Sequence, residues 1–258
     1  MRFVGCGDLG KRFPVNLEET NENEQSIIQV EPLLSNYVDQ DGNIDYTGWR
    51  KNTENLNKLR KAFFAIASIN VGEYSLEKKK AFYINAHNLL VIWLVLWKYA
   101  STSSGSNLAN QRSIQNLSKP GQSPFNSFQW RVAREVMTLD DIQKKILEPM
   151  GDARIHFALT LASKGMPLLY KKLFTDKTLE NALTEITNKF SNLPTITTLD
   201  QDRKVLQTSA VFEWHRSDFE KQFGTLSEFF LKFLDPAKFN PEIIKKADIS
   251  FKDFDWVL

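Results

Sequence analysis

Between Phe82 and Leu94 the chain reads FYINAHNLLVIWL, a run with no formal charge in which Asn85, His87 and Asn88 sit among apolar neighbours. A segment this apolar has to be buried, and burying an amide or imidazole without hydrogen-bond partners costs roughly 1–3 kcal/mol. These three side chains must therefore organise either a network in the core or a site. The uncharged stretch from Ala81 to Trp97 is shorter than the roughly 20 apolar residues of a membrane span and is interrupted by polar groups, which predicts a buried helix and no transmembrane span. By the 3.6-residue repeat, Ala81, Asn85, Asn88 and Ile92 share one stripe, while His87 lies about 200° away from Asn85. The amides and the histidine thus serve different surfaces.

Around this helix the pattern predicts further elements. Residues 1–30 are polar and read as an N-terminal extension, with the domain spanning 31–258. Asp39-Gln-Asp-Gly42 is turn chemistry, and Asn43 to Tyr46 suits a short strand after it. Leu56, Leu59, Phe63 and Ile66 follow at helical spacing, and Ser75 is placed to cap the central helix, which runs to about Tyr99 before a loop beginning at Ser101. Phe128, Trp130 and Val132 alternate like a half-buried strand, with Val136-Met137 as its hairpin partner. Thr138-Leu-Asp-Asp141 is a capping-box-like helix start.

Ile155 to Ala162 fits both helical and strand periods, and helix is favoured. Leu179 to Phe190 reads as an amphipathic helix, Thr195 to Leu199 and Lys204 to Thr208 as a hairpin, and Thr225 caps a last helix ending near Leu234. The expected class is α+β: a single mainly helical domain with one or two small antiparallel β-hairpins.

Thirty-three Lys and Arg against 31 Asp and Glu, with no basic block interleaved with aromatics, leave no nucleic-acid footprint. The single Cys6 excludes an internal disulfide and any multi-cysteine metal site, and leaves the compartment, and so the localisation, undetermined. Phe3-Val4-Gly5-Cys6 resembles the tail of a lipoprotein signal, but the apolar segment that should precede it is missing, so no complete signal peptide is expected and the match is read as chance.

Several blocks, in order from about residue 33 to 258, resemble the domain-of-unknown-function family 547. Val38 to Tyr46 is similar to its opening segment, Phe82-x-x-Asn85-Ala-His-Asn88 to its asparagine-bearing helix, and Thr138-Leu-Asp-Asp-Ile142 and Ala153-Arg-Ile-His156-Phe-Ala158 to the blocks that follow. Ser163-Lys-Gly-Met-Pro167-Leu168, Ser209 to Phe219 and Phe254-Asp-Trp-Val-Leu258 complete the series. The departures matter for chemistry. Gln143 stands where the resemblance implies Glu, Glu148 where Arg is common, Leu161 and Met166 where cysteines are common, and His87 and His215 where Tyr is common.

Two functional readings follow. In the first, the protein is a non-catalytic binding or protein-interaction module, with an unknown small ligand or protein partner. Its polar pocket is built from Asn85, Asn88, His156 and Ser163. The losses at positions 143, 161 and 166 motivate it. The alternative is a degenerate or working Ser/His hydrolase with His156 as base, Ser163 as nucleophile, and Asp141 or Asp218 orienting the imidazole. Seven residues separate His156 from Ser163, too far along a helix and on opposite faces of a strand, so a bend at Ser163-Lys-Gly165 is required. The three histidines with Asp218 invite a metal reading, but no His-x-x-x-His or His-Glu-x-x-His spacing exists, and neither metal nor other cofactor is expected. Trp214 and Phe219 are expected core anchors.

Overall fold

The computed structural model describes residues 23–100, 113–118, 121–166 and 169–257. The central helix, Leu76–Ala100, is the axis of the molecule. Ser75 accepts from the Lys78 amide at its start, and every residue from Ala81 to Leu96 is buried. A helix apolar on all sides is buried on all sides, so it shows almost no amphipathic bias. By length and composition Leu76–Lys98 is long and apolar enough to cross a membrane, but 89% of its most apolar window is buried inside the protein, as in a core helix.

The Thr53–Ser68 helix packs on one side of this axis, burying Leu59, Phe63 and Ile66. The Trp130–Val132 and Glu135–Met137 strands (β1 and β2) form the expected hairpin; Ala133 and Arg134 at its tip, both at positive φ, bond back to Ile66 and Ala67. On the other side an aromatic core of Phe157, Phe190, Phe212, Phe219, Phe229 and Phe230 joins the Leu179–Ser191, Ala210–Trp214, Arg216–Phe223 and Leu226–Phe233 helices. Burying each of these rings contributes about 2–3 kcal/mol by area alone.

The α+β, mainly helical class holds, with two small sheets. The second sheet differs from expectation: Thr198–Asp200 (β3) and Val205–Ser209 (β4) form the hairpin, but Asp248–Lys252 (β5) adds to β4 in parallel. Long-range pairing of this kind has no local signal. Nor is the Thr225-capped helix the last, since Pro241–Ile244 follows it. At the other end Glu24–Ile28 is already helical and Ile27 and Val30 are buried, ahead of the start expected at Glu31. The extension before residue 23, Cys6 and the Ser101 to Ser106 loop lie outside the described residues, as do Pro167, Leu168 and Leu258 of the motif blocks. Asn43 to Tyr46 gives an isolated bridge, Val38 with Ile44, in place of a strand.

Candidate functional site

Ile155–Ala158 is a single helical turn, after which Leu159 becomes extended. The helix expected through Ala162 therefore stops four residues short. Each residue of the preceding block holds this turn in place. Arg154 forms bidentate bonds to Asp152 (2.9 and 3.0 Å) and to Glu180 (2.7 and 2.7 Å), tying the turn to the Leu179–Ser191 helix. Ile155 and Phe157 enter the core. At its end Asn88 donates to the Ala158 carbonyl (2.7 Å) and accepts from the Thr160 amide (2.9 Å).

Asn85 does the same to a different segment, donating to the Phe174 carbonyl (2.8 Å) and accepting from the Phe174 amide (3.0 Å). A carboxamide is the side chain that offers one donor and one acceptor in the geometry of a peptide edge, which is why both positions carry Asn. Both amides are thus spent on backbone, and the crevice they share holds only about 10 Å³. His87 stacks parallel to Phe125, while its Nδ1 lies 3.4 Å from Asn88 Oδ1, so the ring touches the second clamp.

His156 faces a separate cluster. Its Nε2 lies 2.8 Å from Asp218 Oδ2, and its ring stacks on His215 with centroids 3.6 Å apart and planes 14° from parallel. Glu148 Oε1 lies 3.8 Å from His215 Nδ1. Glu148 is positioned by the π-helical turn Ile142–Leu147, whose wider i→i+5 backbone bond from Glu148 to Gln143 brings both side chains together; Gln143 Nε2 donates to Glu148 Oε1 at 3.1 Å. The bond to Asp218 assigns the His156 proton to Nε2 and leaves Nδ1 buried without a partner among the described residues.

Burial pulls both imidazoles down, to about 3 for His156 and about 3 for His215, the latter also disfavoured by its neighbour His156. A carboxylate charge acts in the opposite sense on each ring, Asp152 on His156 and Asp218 on His215. Glu148 is pushed up by burial and by the nearby Asp218 charge, against the Gln143 bond.

A cavity of about 30 Å³ adjoins the two imidazoles, walled by Leu159, Leu161, Met166 and Trp214 among others. That is room for one or two waters. Ser163 does not line it. Ser163 instead borders a cleft of about 540 Å³ between the Asp41 to Tyr46 turn, the Thr160 to Met166 loop and Leu193 to Ile196. Its Oγ is buried with no hydrogen-bond partner among the described residues. Met166 borders both spaces and stands between them. The required bend exists: Ser163 to Gly165 is a turn, held by Lys164 N to Val257 O (2.7 Å) and Gly165 N to Asp255 O (2.8 Å). A Cβ at Gly165 would meet the Asp255 backbone at 2.8 Å, so only glycine permits this approach.

The structure therefore separates the four residues expected to share a pocket. Asn85 and Asn88 clamp backbone, His156 faces the carboxylate cluster, and Ser163 faces the cleft. Of the two candidate orienting acids, Asp218 holds His156. Asp141 is used in the capping box with Thr138 (2.9 and 3.0 Å) and in an ion pair with Lys145 (2.7 Å). Trp214, expected in the core, is 45% exposed and packs on Phe254 and Trp256 at the surface, whereas Phe219 is fully buried. Glu148 is the member sequence reasoning did not connect to His156; its only signal was its departure from the resembled pattern.

Among the described residues, the arrangement defines a mainly helical α+β fold with a half-buried histidine–carboxylate cluster near a solvent cleft. Residues 71–190 match the family model described as protein of unknown function, DUF547, so the resemblance read from the motifs holds over that stretch. The match, just under half of the chain, takes in the asparagine clamps, Glu148, His156 and Ser163, and ends before His215 and Asp218. No curated protein and no solved structure matches the chain.

Proposed function

We propose that this protein is a non-catalytic binding module whose ligand, a small polar molecule or a short segment of a protein partner, occupies the cleft bordered by Ser163. The carrying observation is the wall at Met166: the cleft is large enough for a ligand, the space beside His156 is not, and no hydrogen bond joins the imidazole to the Ser163 hydroxyl. A nucleophile without a base within reach is not activated. The cleft is lined by Asp41, Asn43, Lys164 and Thr195 together with Ile44, Leu193 and Ile196, the mixture expected of a recognition site, with Thr160 and the buried Ser163 hydroxyl in its wall.

The test is a fragment and peptide screen read by amide chemical shifts, with Ser163→Phe as the variant that fills the cleft. Perturbations concentrated at Thr160 to Lys164 and Thr195, and lost in that variant, support the proposal; hits scattered over the surface would reject it. One observation favours the hydrolytic alternative, namely the orientation of His156 by Asp218. An esterase and peptidase screen decides it: turnover that disappears in His156→Ala would replace the binding reading.

A further inference from the structure

The cluster around His156 is electrostatically incomplete. Two carboxylates approach two imidazoles, yet the four groups share only one short contact, His156 to Asp218. Asp218 raises the cost of ionising Glu148, so the two acids repel across the site. The positive charge that acts on Glu148 and His215, Lys144, is bonded to Asp140 outside the cluster, so, among the described residues, no cation sits within the four groups themselves. Its four donor atoms come from three elements, Glu148 from the end of the π-helical turn, His156 from the Ile155–Ala158 turn, and His215 and Asp218 from the start of the Arg216–Phe223 helix, and all lie within 4.8 Å of one another.

We propose that Glu148, His156, His215 and Asp218 bind one divalent first-row transition-metal ion, with Zn2+ the best match to two imidazole nitrogens and two carboxylate oxygens. Tetrahedral Zn2+ with bonds near 2.1 Å places its ligand atoms about 3.4 Å apart, so the set has to contract by about 1.4 Å at its widest. The nitrogens that face the carboxylates, Nε2 of His156 and Nδ1 of His215, are the coordinating atoms; binding requires the neutral His156 ring to carry its proton on Nδ1 in place of Nε2. A coordinating lone pair lies in its ring plane, and the rings are parallel at 3.6 Å, so an ion midway would be out of both planes. Binding therefore tilts the His215 ring. The structure leaves that ring the freedom to move: the side chain of His156 is 0% exposed, whereas those of His215, Glu148 and Asp218 are 20%, 23% and 35% exposed.

The same asymmetry gives the ion a route from solvent and leaves His156 as the fixed ligand. Gln143 acts as the outer support, its amide holding Glu148 in place. No ligand here is a thiolate, which favours borderline ions such as Zn2+ or Co2+ over soft ones.

The test uses the full chain, dialysed against chelator and titrated with Co2+ and Zn2+. One Co2+ per chain is expected, with the visible absorption of a low-coordinate site, displaced by Zn2+. His215→Phe, whose fold is checked by circular dichroism, is expected to weaken binding at least about 100-fold, Asp218→Asn to weaken it clearly, and Gln143→Leu by about 10-fold. Asp200→Asn with Asp202→Asn, on the exposed hairpin, leaves it unchanged. Absence of Co2+ absorption at millimolar metal, or binding that survives both His215→Phe and Asp218→Asn, would overturn the site.

Discussion

The Asn88 clamp and the His156 cluster lie on either side of the same helical turn, and they use buried polar groups in opposite ways. Asn88 satisfies a carbonyl and an amide at 2.7 and 2.9 Å. His156 leaves Nδ1 without a partner among the described residues. A fully bonded polar group in a core fixes the chain where it is, while an unpartnered one leaves its desolvation cost unrecovered. The first region is scaffold, and the second is the site proposed above.

The largest effect is expected on the scaffold side. Asn88→Leu keeps the volume but strands the Ala158 carbonyl and the Thr160 amide, which costs about 2–5 kcal/mol. Chemical denaturation checks it; a loss below 1 kcal/mol would break the contrast.

Acid sharpens the comparison through His87, whose Nδ1 touches the Asn88 clamp at Oδ1. Burial lowers His87 to about 4, below its ordinary value near 6.5. The unfolded chain therefore binds a proton that the folded chain refuses, and stability falls as pH drops from about 6.5 toward 4. At pH 5 the loss from His87 is about 2 kcal/mol, and His87→Phe should flatten that part of the stability profile relative to the parent. An unchanged slope would mean that the ring is protonated in the fold.

On the site side the effect is smaller. His156→Phe removes one bond to a carboxylate that solvent still reaches and directs the extra ring volume toward the 30 Å³ cavity, so stability should change by less than about 1 kcal/mol. A destabilisation equal to that of Asn88→Leu would place His156 with the scaffold. The mildest change, Met166→Cys in a Cys6→Ser background, puts a thiol in the wall between cleft and cavity. Iodoacetamide should label it, and labelling should be slowed by a cleft ligand; a thiol inert in the folded chain would show that the cleft does not reach this wall.

Much of the local structure was legible in the residues. The all-round apolar helix, its Ser75 cap, the Thr138–Asp141 capping box and both hairpins follow from period, capping chemistry and turn residues, because those forces act within a few positions of the chain. The separation of His87 from the two amides, expected from helix geometry, is incomplete, because adjacent side chains still touch where His87 Nδ1 lies 3.4 Å from Asn88 Oδ1. The parallel partner β5 was not legible, because the two paired strands are about 40 residues apart and nothing local specifies the pairing.

The amino-acid order by itself determined that two asparagines and a histidine would be buried and that each needed a purpose. Only tertiary structure decided the purposes: segments some 70 to 90 residues away supply the peptide edges that absorb both amides, while Glu148, His215 and Asp218 converge on His156. The physical reason is one of range. Solvation and helix periodicity are properties of a residue and its neighbours, whereas complementarity between polar groups exists only once distant parts of the chain are packed together.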